Sequence, residues 1–200
     1  MKKQNTTSLI KIFGTVLIIT IFFSCSTVNR IYTDNDLTRS SKRFELKYLV
    51  RDRVRRSPLH FFRQTIIKEI GRDNEVNYTA YDVLTLSGTS FTVDDKVFLI
   101  IDNVPFSMKI DRMEFENERS LSEDTQTFLN SESVPITVMT GYSEDNSKIA
   151  RFSYKIPPEA IERIRNSNQL LIRYYSGPSM MTVKPGKKSF RKLKQLIDSF

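Results

Sequence analysis

Val97-Phe98-Leu99-Ile100-Ile101-Asp102-Asn103-Val104-Pro105-Phe106-Ser107-Met108-Lys109-Ile110 decides the fold. An unbroken apolar run meets Asp-Asn, and apolar side chains then recur at every second position in Val104, Phe106, Met108 and Ile110. Alternation of this kind is the signature of a strand, and Asp and Asn tolerate the positive φ that a two-residue turn requires, so the stretch predicts an antiparallel hairpin. Its first strand is apolar on both faces. It therefore belongs at the centre of a sheet covered on both sides, as in a sandwich or a sheet with helices packed on it. Pro105 has no N–H to give to a ladder, which places the start of the second strand at an edge or a bulge.

Outward from the hairpin, further segments carry the same period. Phe44, Leu46 and Tyr48 alternate with Glu45 and Lys47, and residues 76–86 alternate similarly, whereas residues 61–70 mix apolar and polar positions without settling a period. Residues 114–133 are rich in Glu, Ser, Asp and Asn and read as a long exposed loop. Residues 135–142 and 150–156 read as two strands joined by a polar turn over 143–148, where Glu144-Asp145-Asn146 supplies turn formers.

The last 45 residues have the sharpest organisation. Pro157-Pro158-Glu159 opens a short helix, because proline is tolerated in a first turn and Glu suits the positive end of the dipole; Ile161 and Ile164 form its buried stripe. A strand over 169–176, a Gly177-Pro178 turn and a strand over 180–184 follow. Pro185-Gly186 then leads into a terminal helix with Phe190, Leu193, Leu196, Ile197 and Phe200 at helical spacing and Lys187, Lys188, Arg191, Lys192 and Lys194 opposite. The fold class is α+β: a mainly antiparallel β-sheet or sandwich-like domain with a short helix and a C-terminal helix packed on it.

Before the domain, Lys2, Lys3 and Lys11 precede a predominantly apolar run over 12–23, and residues 1–24 contain no acid. Twelve residues at ~1.5 Å rise cover about 18 Å, short of the ~30 Å hydrocarbon core, which favours a cleaved export signal over a permanent span. Phe22-Phe23-Ser24-Cys25 resembles a lipobox, with a small residue before the cysteine that receives acyl chains and Phe22 where Leu is usual. The resemblance is to lipoproteins of Bacteroidetes type, and the closing strand, helix, strand, strand, helix order is similar to that of uncharacterised secreted or lipid-anchored bacterial proteins. It implies a signal peptide over 1–24, lipid attachment at Cys25 and a lipid-anchored envelope location. With Ser26 and no Asp following Cys25, and no early acidic cluster, it implies the periplasmic side of the outer membrane. Residues 25–42 are polar and read as a flexible tether, leaving 43–200 as one β-rich domain.

Loss of residues 1–24 leaves 28 basic and 23 acidic side chains. That moderate positive charge suits anionic lipid, glycan or a protein partner in the envelope, and nucleic acid is not a partner expected there. With Cys25 the only cysteine, no internal disulfide forms and stability comes from the core.

Catalytic signals are sparse. His60, the only histidine, lies in Pro58-Leu59-His60-Phe61-Phe62 with no nucleophile motif beside it and reads as a half-buried structural residue. One His and an acylated Cys cannot supply a common zinc set, and no metal or other cofactor is expected. Asp94-Asp95, Asp102, Asp111 and Glu114-Glu116-Glu118 leave open a carboxylate pair, the basis of the alternative function, an envelope glycan or lipid hydrolase; solvated loop charge is the simpler account. Lys47, Arg51, Arg53 and Arg55 share one face of a strand, the three arginines at ~7 Å intervals, a spacing suited to an anionic ligand, while a solvated outer face is the simpler account. The function expected is that of a membrane-anchored periplasmic lipoprotein serving as a non-enzymatic binding or structural component of the envelope.

Overall fold

The computed structural model describes residues 28–36, 41–51, 57–129 and 133–200. Its strands are β1 (Ile31–Asp36), β2 (Ser41–Arg51), β3 (Leu59–Ile70), β4 (Val76–Ser87), β5 (Lys96–Ile101), β6 (Val104–Leu129), β7 (Pro135–Lys155), β8 (Leu170–Ser176) and β9 (Ser179–Val183). Its helices are α1 (Pro158–Asn166) and α2 (Lys187–Asp198). All the strands join one antiparallel sheet in the order β1-β2-β3-β4-β7-β6-β5-β8-β9.

The hairpin around Asp102-Asn103 forms as its sequence dictates. Asp102 and Asn103 take φ of 44° and 68°, the double left-handed geometry of a tight turn between twisted strands. The Asp102 carboxylate then accepts the backbone N–H groups of Asn168 and Gln169 at 3.1 and 2.9 Å, fastening the turn to the loop between α1 and β8. β5 lies between β6 and β8, the central place its two apolar faces require. Pro105 stands in the part of β6 that pairs only with β5, so no ladder bond is lost at its missing N–H.

One face of the sheet is predominantly apolar: Phe44, Leu46 and Tyr48 on β2, Phe62 and Ile66 on β3, Ala80, Leu84 and Leu86 on β4, and Phe152 and Tyr154 on β7 are all buried. The Tyr174 ring of β8 stacks on Phe152 at 5.8 Å and lies 6.0 Å from Phe62, although β3 and β8 stand five places apart in the sheet. The sheet therefore curves until distant strands share a core, and Ile161, Ile164, Leu193, Leu196 and Ile197 of the two helices belong to that same cluster.

Three expectations give way. Residues 31–36, within the stretch expected to be a tether, are strand β1, paired with β2 from Ile31↔Leu46 to Asp36↔Ser41; an edge strand draws on its neighbour's backbone and needs few apolar side chains. Of residues 114–133, expected to be a loop, 114–129 belong to strand β6. Residues 143–148 do not turn, because β7 is continuous from Pro135 to Lys155. Both misreadings share one cause. These strands expose both faces, so no burial imposes the two-residue alternation by which strands are recognised. The signal segment, Cys25 and the first residues of the tether lie outside the described residues.

Candidate functional site

β6 and β7 extend beyond the rest of the sheet. β4 stays beside β7 only as far as Ser87↔Ser147, and β5 stays beside β6 only as far as Lys96↔Lys109. The Gly88 N–H still donates to the Asn146 carbonyl at 2.9 Å, and past that point, among the described residues, the two strands have each other alone, from Ser120↔Asp145 to Leu129↔Pro135. At ~3.3 Å per residue this is an arm of about 35 Å. Cross-strand contacts hold it: Arg119 to Glu144 at 2.8 Å, Ser122 to Ser143 at 2.6 Å and Thr127 to Thr137 at 3.0 Å, with a bulge at Asp124/Thr125.

The arm is not polar throughout. Phe115, packed edge-on against Phe152 at 6.3 Å, begins a row that Leu121, Tyr142, Met139 and Leu129 continue on the face leading out from the core. Phe128, Ile136 and Val138 occupy the opposite face near the tip. All are exposed, Leu129 by 71% and Tyr142 by 65%. A row of large apolar side chains on a slender projection is unusual for a monomer surface, and such rows mark contact sites.

Of the cations singled out by sequence, Lys47 and Arg51 lie on the outer face of β2, and Arg53 and Arg55 lie outside the described residues. Lys47 is paired with Glu45 at 3.1 Å, and the Arg51 guanidinium sits 5.5 Å from the centre of the Phe61 ring. Arg63 pairs across from Leu49, and Leu49, Phe61 and Tyr81 are exposed among these cations. The outer face of β2–β4 is thus cationic and apolar together.

The acids named from sequence stay exposed and dispersed over the loop before β5, the Asp102 turn and the outward side of β6. Asp111, at a β-bulge, and Glu114 line one outer groove of about 490 Å³, alongside Arg112 and Arg151. Those arginines pair with Glu114 at 3.9 Å and Glu116 at 2.7 Å. Among the described residues no group of three or more His, Cys, Asp or Glu side chains is placed to hold a metal. His60 is exposed at the start of β3, beside the Leu59/Phe61 irregularity, not half-buried as expected.

A carboxylate missed by sequence reading lies in the core. Asp82 is 1% exposed. Its Oδ1 accepts Gln64 Nε2 at 2.7 Å, and its Oδ2 accepts the hydroxyls of Tyr154, at 2.8 Å, and Tyr174. Tyr48 donates to Gln64 Oε1. Burial raises the Asp82 pKa to about 6 against the opposing pull of these hydrogen bonds. Burial first, and the Asp82 charge second, hold the three phenols well above the usual tyrosine range, so they remain donors. The cluster ties β2, β3, β4, β7 and β8 together, and every polar atom named is satisfied; sealed from solvent, it is equipped to organise the core, not to meet a substrate. Its signal was present in the sequence: Asp82 interrupts the apolar stripe Tyr78, Ala80, Leu84, Leu86.

Lys68 interrupts the β3 stripe similarly. It is 3% exposed, its Nζ donates to the carbonyls of Ile197 and Ser199 at the end of α2, and the rings of Phe44, Tyr78 and Phe200 surround it at 5.5–5.9 Å. Removal from water pulls its pKa down from the ordinary lysine value. The ammonium meets the negative end of the helix dipole and the orphan carbonyls there, which fixes α2 to β3.

Compared with known proteins, the chain matches no family model, no curated protein and no solved structure.

Proposed function

We propose that this chain is a lipid-anchored envelope protein of the Bacteroidetes lipoprotein type, held by acylated Cys25 on the periplasmic side of the outer membrane, and that it works by binding and not by turnover. The observation that supports binding is the β6–β7 arm. Two strands run past every neighbour and carry large apolar side chains into solvent on both faces. Such an element adds nothing to the core and exposes area that water disfavours, so its use lies in contact. In this proposal the curved sheet is a sandwich-like body with α1 and α2 packed on it, a rigid base from which the arm reaches a partner. The cationic face of β2, with Lys47 and Arg51, is a second surface suited to an anionic or acidic partner.

The test is affinity purification of the intact protein from gently solubilised membranes, beside a variant in which residues 119–146 are replaced by a short glycine-containing turn. Mass spectrometry reads both acylation of Cys25 and co-purifying chains. An acylated bait that holds a stoichiometric partner through the arm is the expected result. A partner retained equally without the arm sinks the role given to the arm, and an unacylated bait sinks the anchor.

A further inference from the structure

The outer face of the sheet carries opposite charge at its two ends. Residues 113–148, which supply the arm and its root, contain eight acidic and two basic side chains; the remainder of the chain contains 15 acidic and 29 basic. On the outer face this asymmetry is spatial. Lys47, Arg51 and Arg63 lie at the β2–β3 end, whereas Glu118, Asp124 and Asp145 lie on the same side of β6 and β7 toward the arm. Exposed apolar side chains accompany each set: Leu49, Phe61 and Tyr81 among the cations, and Phe128, Ile136 and Val138 beyond the acids.

The arm continues the β6–β7 ladder past the last pair of β4 with β7, beyond the edge of the β2–β4 face of its own chain. A second copy can supply that face. We infer that the arm docks on the β2–β4 outer face of a second copy of this chain, the acids of each copy against the cations of the other. A two-fold axis satisfies both contacts at once, because each copy presents one acidic arm and one cationic face, and a two-fold contact closes as a dimer instead of growing into a filament. The inference deepens the proposal that the arm is a contact element, and it does not depend on the lipid anchor.

The test is sedimentation of the intact chain in detergent micelles at low and high salt. At about 50 mM salt the expected species is a dimer, and raising salt to about 500 mM should weaken association at least tenfold by screening. Arg51→Glu with Arg63→Glu, and separately Glu118→Lys with Asp124→Lys, should each give monomers. All four positions are exposed, and unchanged circular dichroism confirms that both variants fold. Mixing the two variants restores both charge contacts and should restore a mixed dimer. A chain that stays monomeric at low salt to about 100 μM overturns the inference, as does a dimer indifferent to both charge reversals. A monomer that instead captures a different protein through its arm also overturns it and leaves the binding proposal standing.

Discussion

At its C-terminal end β7 buries every second side chain, Ala150, Phe152 and Tyr154, in the centre of the core; about ten residues earlier the same strand, at Tyr142 and Met139, buries none. β6 differs along its length in the same way, from buried Met108 to Leu129, which is 71% exposed. Backbone pairing is continuous through both regions, so pairing alone does not account for stability. The root is held by apolar area removed from water, and the arm by a ladder, a few side-chain pairs and its continuity with the root. A two-stranded ribbon in isolation is marginal in water, so the arm depends on the body far more than the body depends on the arm.

If that division holds, the largest loss follows from opening a void in the core that distant strands of the curved sheet share. Phe62 is fully buried, with the rings of Tyr48 and Tyr174 within 6.3 Å. Phe62→Ala should cost roughly 3–5 kcal/mol in urea unfolding, from lost transfer energy plus the cavity left behind. A loss near 1 kcal/mol would mean that these distant strands are less tightly packed than their contacts indicate.

The next effect belongs to Asp82, and its sign runs opposite to that of most carboxylates. Its pKa is about 6 in the folded chain against 3.8 for the unperturbed group, so between those values the native state holds a proton that the unfolded state has released. The contribution of this residue to stability is therefore greatest below pH ~4, falls as pH rises to about 6 and is flat above, a swing on the order of 3 kcal/mol. Asp82→Asn, with the Gln64 amide turned to accept from it, should remove that swing. An unchanged difference between pH 4 and pH 7 stability in this variant would place the titration elsewhere.

The third effect is smaller and local. Lys68→Met keeps apolar bulk among the three rings but takes the donor away from the Ile197 and Ser199 carbonyls. About 1–2 kcal/mol should be lost, with amide exchange in α2 accelerating before exchange in β3. Equal acceleration in both would show that the lysine supports the whole core and not the helix end alone.

The legibility of this fold in its sequence follows the same division. The β5–β6 hairpin, β4, α1, β8, β9 and α2 could be read because burial forces a period on their side chains, 2 in a strand and 3.6 in a helix. The arm could not. With Glu123 across from Tyr142 and Leu121 across from Glu144, neither of its faces repeats, and the polar composition of residues 114–133 imitates a loop. Asp82 continues the alternation of Val76, Tyr78 and Ala80, so it could have been recognised as a polar group needing buried partners, whereas Gln64 and Lys68 fall in residues 61–70, where no period is settled. What no single strand could show was which partners those were, since Tyr154 and Tyr174 arrive from 72 and 92 residues away.

The smallest effect on stability is the most informative about use. Phe128 and Val138 are 54% and 46% exposed, so replacing both with Ser should change unfolding free energy by no more than about 0.5 kcal/mol, within the range of ordinary surface substitutions. The same pair of changes should abolish arm-dependent association, because it removes the apolar area that a partner would cover. A protein that unfolds as before and no longer associates would separate the two ends of β6 and β7 completely: one end for holding the chain together, the other for holding something else. A loss of several kcal/mol would instead mean that the arm's side chains are already covered within the chain, and the contrast between root and arm would collapse.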